Sequence, residues 1–492
     1  MSFYDLISTM KHERLRVDKD LLRLAYETAE RAHAGQVRLS GEPYVTHSLA
    51  VANTLARLRL DEETIIAGLL HDVPEDTHVT INELRKDFGD TVANLVDGVT
   101  KLGKLKYRGM ERYVENLRKM FVAMAQDIRV ILIKFADRLH NLETLDFLPS
   151  PEKRRRIALE SIEIYAPIAN RLGMGEIKGQ LEDLSFPYVF PEEQKATERM
   201  LSQRLGDITG YLEDLKTTLH AELRRHRIRV VDIHGRQKHL YSLYKKLQRP
   251  GIDGDIMKIY DLVAIRIIVG SVEDCYAALG IIHGKWRPLP GRIKDYIAQP
   301  KPNGYQSIHT TVFGPNGQII EIQIRDTKMH DDAEYGIAAH WHYVETGKQK
   351  KVHVAFNQKL AWVRELNEWQ KELENEQYLE ALRIDVFSNR IFCFTPRGDV
   401  IDLPENATAI DFAFAVHSEL GCQITGARIN GKFEQVTVTL KSGDVVEILT
   451  DKNRTSPNPD WLPYVKTSLA RDKIRKAQRD EQERSRGEPK VP

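Results

Sequence analysis

Apolar residues recur at helical spacing through roughly the first 190 positions. Ile65, Ile66, Leu69 and Leu70 form one stripe, Tyr113, Leu117, Met120, Phe121 and Met124 a second, and Ile128, Ile131, Leu132, Phe135, Leu139 and Leu142 a third. This periodicity predicts an all-α domain over residues 1–195, closed where Ser185-Phe186-Pro187-Tyr188-Val189-Phe190-Pro191 interrupts the pattern. A charged helix then runs to His226, followed by the β-branched runs RIRVVDI, LVAIRIIVG and GQIIEIQIR, which predict an α/β domain over 196–345. Helical periodicity returns at YGIAAHWHY and from Phe356 to Leu382, where Phe356, Leu360, Val363, Leu366 and Trp369 mark a packing seam in a linker over 346–383. Residues 384–450 read as a small β-rich unit with one helix near AIDFAFAVHSEL, and 451–492 as a charged tail ending in frayed helix.

Composition adds little to that frame and excludes some classes. The 492 residues are 41% hydrophobic and 29% charged, ordinary for several globular domains. A formal net charge of +1 argues against wholesale coating of nucleic acid, and the basic run Lys348, Lys350 and Lys351 reads as a solvated linker. Cys275, Cys393 and Cys422 have no paired spacing, so neither a disulfide framework nor a zinc module is indicated and a reducing cytoplasm fits. The N-terminal segment has no signal-peptide layout, and no apolar run reaches membrane-spanning length.

Candidate chemistry gathers in two places. In the helical region His47, the pair His71-Asp72 and Asp137 offer nitrogen and oxygen ligands suited to a divalent ion that activates water, and Glu75 and Asp76 follow directly as candidate bases. His71-Asp72 is expected to close a helix just before Pro74 breaks it, while Lys134, Asp137, Asn141 and Thr144 line the polar side of another helix. The alternative for any one of these residues is a solvated helix face. In the α/β region Ile320, Ile322 and Ile324 alternate with Glu321, Gln323 and Arg325, so the latter three share a face. With Asp261 on a neighbouring strand, Glu321 supplies a carboxylate pair for Mg²⁺ on a nucleotide polyphosphate. Strict alternation, however, would place Asp261 and Arg266 on opposite faces of one strand. Arg236, Lys238, Ser242, Arg292, Lys294, Lys301, Asn303, Tyr305 and His309 supply phosphate donors and an aromatic ring for a base, although Tyr305 could equally anchor a loop.

The ordered motifs HAGQVRLSGEPYVTH, LLHDVPEDT, VDGVTKLGK, KFADRLHN, YDLVAIR, KPNGYQSIHT and EIQIR resemble those of the RelA/SpoT homologues, the long alarmone synthetase/hydrolases of the bacterial stringent response. The resemblance covers nearly the whole chain. It implies an HD-type hydrolase domain that removes pyrophosphate from the 3′ position of (p)ppGpp with Mn²⁺ held by His47, His71, Asp72 and Asp137. In that mapping Glu75 and Asp76 activate water, and Arg38, Asn141 and Thr144 contact nucleotide. Leu39 stands where many relatives carry Lys, and Pro74 where Val or Leu is common.

The same resemblance implies a nucleotidyltransferase-like synthetase that moves the β,γ-pyrophosphate of ATP to the 3′-OH of GDP or GTP. Asp261 and Glu321 would hold Mg²⁺, Glu321 would also serve as base, Arg236 and Arg266 would sandwich adenine, and Tyr305 would stack on guanine. Lys238, Ser242, Lys294, Lys301, Asn303, His309 and Gln323 would fill phosphate, ribose or base contacts. Arg292-Ile293-Lys294-Asp295 matches the basic RxKD pattern of bifunctional relatives, which implies both activities. Residues 384–450 resemble a TGS domain, β-grasp-like, implying contact with deacylated tRNA and the ribosome; His417 is the candidate contact, with a buried structural histidine as the alternative. Long relatives continue past NPDWLPYVKTSLARDKIRK into zinc-finger-like and ACT or RRM modules, which this sequence lacks. Competing readings are a hydrolase whose middle domain only senses nucleotide and a tRNA-binding regulator built around the TGS unit. Opposed activities on one chain imply a switch carried by 185–200 and 345–382.

Overall fold

A computed structural model describes residues 1–103, 110–205, 208–301, 303–339, 390–441 and 443–486. The chain divides into two compact units, Met1–Lys371 and Glu372–Pro492. The expected helix from Phe356 to Leu382, the Lys348–Lys351 run, the part of YGIAAHWHY from His340 on and the proposed hinge at 345–382 lie outside the described residues.

The first unit opens with α1 (Phe3–His12), α2 (Lys19–Ala32), α3 (Val45–Arg57), α4 (Glu62–Leu70), α5 (Val73–Asp76), α6 (Ile81–Gly103), α7 (Met110–Gln126) and α8 (Arg129–Glu143). Asp18 and Asp61 start α2 and α4 by accepting backbone N–H groups of the first turn, the role that short polar side chains play at helix N-termini. The stripes read from the sequence are buried: Ile65, Ile66, Leu69 and Leu70 of α4 and Ile131, Leu132 and Phe135 of α8 lose all solvent contact. Burying each such side chain stabilises the domain by roughly 1.5–3 kcal/mol before chain entropy is counted. Gly68 of α4 admits α3 closely, since a Cβ there would meet Leu55 at 2.4 Å.

Next come α9 (Pro151–Glu160), a π-turn over Ser161–Tyr165, α10 (Ala166–Arg171), α11 (Gly175–Val189), α12 (Pro191–Leu205) and α13 (Ile208–Arg225). α11 ends at Val189, within the Ser185–Pro191 stretch, with Pro187 inside its last turn. One local expectation needs correction. Pro74 does not simply stop α4; it sits in the first turn of α5, where its missing N–H has no partner to lose and its fixed φ suits a helix start.

The five-stranded sheet is built from β1 (Val230–Gln237), β2 (Val263–Val269), β3 (Lys294–Asp295), β4 (Ile308–Phe313) and β5 (Ile319–Asp326) in the order β1-β2-β5-β4-β3. β2 and β5 are parallel and the other neighbours antiparallel. α14 (Leu240–Leu247) follows β1, α15 (Val272–Lys285) follows β2, and α16 (Thr327–Tyr335) follows β5. Ile265, Ile267, Val269, Ile308, Val312, Ile320, Ile322 and Ile324 pack with Leu215, Leu219 and Leu223 of α13 and with Cys275, Ala278 and Ile282 of α15. One face of the sheet is thus committed to the core, and pleating sends Glu321, Gln323 and Arg325 to the other.

The second unit comprises β6 (Arg390–Phe394), β7 (Val400–Pro404), α17 (Ala409–Val416), α18 (Ser418–Gln423), β8 (Ile424–Ile429), β9 (Lys432–Glu434), β10 (Val446–Thr450) and α19 (Ser468–Arg486). A β6-β7 hairpin and a β10-β8-β9 sheet meet through a parallel bridge between Phe394 and Val445, and the apolar α17 is buried between two clusters. The first turns of the charged tail are held in place: Ala470 and Ile474 of α19 are fully buried and pack with Trp461 and Val465 against Ala409, Ile410 and Ala413, while residues 487–492 lie outside the described residues. Buried Asp411 ties this segment down. Its Oδ1 accepts Lys466 N, Thr467 N and Thr467 Oγ1 at 2.7–2.9 Å while Oδ2 accepts from Thr408. An apolar pattern spread over one turn in a highly charged helix hid this packing.

Candidate active sites

In the helical part, α3 supplies His47, the α4–α5 corner His71 and Asp72, and α8 Asp137. His47 Nε2 lies 3.4 Å from Asp72 Oδ2 and 3.3 Å from Asp137 Oδ1; His71 Nε2 lies 3.2 Å from Asp72 Oδ1. One ligand atom each from His47, His71 and Asp137 fall within 4.8 Å of one another.

The tautomers follow from the partners. His71 Nδ1 meets the Gly68 carbonyl at 2.8 Å, and a carbonyl only accepts, so that nitrogen carries the proton. His47 Nδ1 meets His140 Nδ1 at 2.9 Å, and Arg38, which only donates, points at the same His140 nitrogen from 3.2 Å. His140 Nδ1 is therefore the acceptor and His47 Nδ1 the donor. Burial, with His47 and Arg38 adding, lowers the pKa of His140 to about 4, which keeps it neutral for that role. Both ligand histidines accordingly turn Nε2 towards the carboxylates, as ligating imidazoles do when the other nitrogen is held by an acceptor. His71 Nε2 is buried with no hydrogen-bond partner, and burial alone would lower the basicity of that ring. Asp72 and Asp137 outweigh it and bring the pKa to about 9, a measure of the negative potential at this point. The donor set, the orphaned nitrogen and this potential fit a divalent cation.

Around this centre Lys134 donates to Asp137 Oδ2 at 2.6 Å and Asn141 to Oδ1 at 2.5 Å. Tyr44 Oη lies 2.9 Å from Asp72 and 2.8 Å from Asp76, bridging the ligand and the candidate base. Glu75 titrates at about 7, raised by burial and by Asp72 and Asp76 against the pull of Lys134. Arg38 reaches Asn141 at 3.0 Å and Thr144 at 3.2 Å, so the three expected nucleotide contacts form one cluster beside His140. Tyr44 and His140 were missed by sequence reasoning, although both lie inside quoted motifs. Leu39 is exposed beside them.

On the sheet's open face a row of paired residues runs His234, Arg266, Gln323, His309 and Lys294 across all five strands, with Arg236 and Glu321 one step along β1 and β5. The register resolves the alternation problem: β2 begins at Val263, so Asp261 precedes the pleated strand and is free to turn towards Glu321's side. Lys238 and Lys246 hold the two oxygens of Asp261 at 2.8 and 2.6 Å and keep it ionised well below the usual carboxylate range despite burial. Glu321 accepts Gln323 Nε2 at 2.8 Å and lies 3.2 Å from His309 Nδ1; these contacts lower its pKa against burial. Both carboxylates thus fit a divalent cation by charge.

Arg266 and the fully buried Arg325 converge on Oε1 of Glu334 from α16, at 2.5 and 3.0 Å. Tyr305 is half-buried on the Gly304 turn, where φ is +79°, with Lys301 Nζ 5.0 Å from its ring centre. Partial desolvation by the surrounding rings, then Lys294, lowers the pKa of Lys301 to about 8 although the side chain keeps substantial solvent exposure. Arg292 is exposed over the Tyr260 ring and Lys294 is exposed on β3. Asn303 orders the turn by accepting Tyr305 N, and Ser242 approaches Glu182 of α11 at 3.5 Å. Lys246, Glu334 and Tyr296 were not among the expected site residues. Lys246 stands in the GRQKHLYSLYKK run; Glu334 carries no local signal, because only the return of α16 brings it to the sheet.

In the second unit His417 is exposed, not buried, between α17 and α18, and its Nδ1 accepts Glu419 N at 3.3 Å.

Family models match the chain in three stretches: an HD domain over residues 25–175, the region found in RelA/SpoT proteins over 235–348 and a TGS domain over 391–450. The GTP pyrophosphokinase of Myxococcus xanthus is 49% identical over 93% of this chain and 60% of its own length. The chain is a RelA/SpoT homologue. A probable guanosine-3′,5′-bis(diphosphate) 3′-pyrophosphohydrolase of Synechocystis is 48% identical to this RelA/SpoT homologue over 91% of the chain and 60% of its own length. The bifunctional (p)ppGpp synthase/hydrolase RelA of Mycobacterium tuberculosis is 46% identical over 94% of the chain and 62% of its own length. The RelA/SpoT homologue described here thus spans about 60% of the length of these curated relatives.

Proposed function

We propose that the chain is a bifunctional enzyme that makes (p)ppGpp from ATP and GDP or GTP and hydrolyses it to GDP or GTP and pyrophosphate. One observation carries this reading: two separate carboxylate centres, each with its own cationic and hydrogen-bonding surround, stand in one chain whose relatives carry names for both activities.

At the hydrolytic centre His47, His71, Asp72 and Asp137 would hold the cation, for which Mn²⁺ suits the mixed nitrogen and oxygen set. When bound, the ion supplies Lewis acidity towards phosphate and water. Glu75, its pKa raised by burial, takes the water's proton, and Asp76 and Tyr44 fix the corner from which it acts. Arg38, Asn141 and Thr144 orient the nucleotide.

At the synthetic centre Glu321 accepts the proton of the ribose 3′-OH, Asp261 and Glu321 would hold Mg²⁺, and AMP departs. Lys238, Lys301, Arg292 and Lys294 neutralise phosphates, Arg236 and Arg266 enclose adenine, Tyr305 stacks on guanine, and Ser242, Asn303 and Gln323 complete polar contacts. His417, solvent-facing in the TGS module, is the candidate contact for deacylated tRNA on the ribosome. No helix among the described residues is long and apolar enough to cross a membrane, and we place the enzyme in the cytoplasm.

Incubation with ATP, GDP and Mg²⁺ should yield AMP and guanosine tetraphosphate; absence of both would sink the synthetic half. Guanosine tetraphosphate with Mn²⁺ should release pyrophosphate, and an unchanged rate in Asp72→Ala would exclude the assigned metal site.

A further inference from the structure

Glu321 is engaged on one oxygen only. Gln323 Nε2 donates to Oε1 at 2.8 Å and His309 Nδ1 approaches the same atom at 3.2 Å, whereas Oε2 has no hydrogen-bond partner among the described residues. The other ring nitrogen, His309 Nε2, lies 2.8 Å from the hydroxyl of Tyr305. Carboxylates only accept, so Nδ1 carries the imidazole proton towards Glu321, Nε2 is left as an acceptor, and the Tyr305 hydroxyl donates to it. The ring itself is fixed: Tyr296 packs edge-on against it at 5.2 Å and 90°, and Lys301 Nζ lies 4.7 Å from the Tyr296 centroid and 5.0 Å from that of Tyr305.

We infer that His309 is a positioning residue rather than a substrate contact, and that Tyr305, His309 and Glu321 form one line through which a base stacked on Tyr305 sets the orientation of Glu321. The inference rests on the synthetic reading above. Stacking on the ring of Tyr305 fixes the direction of its hydroxyl, the hydroxyl fixes the rotation of His309, and His309 with Gln323 pins Oε1 so that Oε2 is the oxygen left for the ribose 3′-OH and for the Mg²⁺ that Glu321 would help to hold. No proton travels along the line; the 3′-OH proton passes to Oε2 while the 3′ oxygen bonds to the β-phosphorus of ATP and the bond to the AMP oxygen breaks. The purine binder and the base are therefore coupled by side chains of the enzyme and not only by the nucleotide that spans them. A misdirected base costs rate steeply, because displacement by about 1 Å is enough to lower turnover by up to roughly 10²-fold.

Tyr305→Phe keeps the ring and removes the line's first hydrogen bond; His309→Asn keeps a donor near Glu321 and removes the acceptor facing Tyr305. AMP formation is measured at saturating ATP with varied GDP for the unsubstituted chain, each single variant and the double variant, with hydrolysis of guanosine tetraphosphate as the check that each chain is folded. Expected is a kcat about tenfold lower in each single variant, KM for GDP within about twofold, and a double variant no worse than either single, because both break the same line. Losses that multiply, a rise in KM for GDP without a fall in kcat, or Tyr305→Phe at full kcat would overturn the inference. No AMP from the unsubstituted chain would instead remove the synthetic reading and this inference with it.

Discussion

The two centres solve the problem of concentrated negative charge in opposite ways. In the helical domain the carboxylates of Asp72 and Asp137 face two imidazole nitrogens, one of them, His71 Nε2, buried without a hydrogen-bond partner, while Lys134 and Asn141 donate to the oxygens of Asp137. On the sheet both oxygens of Asp261 are taken by Lys238 and Lys246, and Glu334 takes two arginines. The first centre presents an unpartnered imidazole nitrogen to a cation; the second is closed by its own ion pairs, which on the proposed synthetic reading a polyphosphate would draw apart. A site on packed helices suits a small, fixed ligand, whereas a site sealed by long flexible side chains suits a large anion.

The strongest way to break the comparison is to remove one ligand from each centre. Asp72→Ala should lower hydrolysis by about 10³-fold or more while AMP formation survives, since a bound cation contributes several kcal/mol at a phosphoryl centre. Glu321→Gln should lower AMP formation by roughly 10²-fold or more and leave hydrolysis intact. Loss of both activities in either variant would show that the centres are not independent.

A pH titration sharpens the electrostatic half. Free Lys301 titrates at about 8, and a bound polyphosphate holds it protonated, so the complex carries more protons than the free enzyme above that pH. Binding of a non-reactive ATP analogue should therefore weaken by about tenfold for each pH unit above 8 and be nearly flat below it. Lys301→Arg, which stays charged, should flatten the upper limb; an unchanged slope would remove Lys301 from phosphate binding. The smallest effect is expected at Lys246. Replacing it with Met frees Asp261 Oδ1, and the Mg²⁺ concentration for half-maximal AMP formation should fall about fivefold, by the loss of one competing charge-assisted hydrogen bond.

Period and motif order made the helical domain, the alternation of β5 and the clustering of the candidate ligands legible, because each depends on local spacing. The burial of Ile320, Ile322 and Ile324 opposite Glu321 and Gln323 follows from pleating alone. What stayed hidden depends on approach between distant segments. His140 acts through α3, Glu334 through α16 folding back on β2 and β5, and Lys246 through a helix that returns over Asp261.

Asp411 has a practical bearing on how this protein can be cut. A fragment ending at residue 450, where the family pattern stops, would strip three of the donors from its buried carboxylate and open the space filled by Val465, Ala470 and Ile474. An excised TGS module should therefore run to Arg486, and a shorter one should be sought in inclusion bodies.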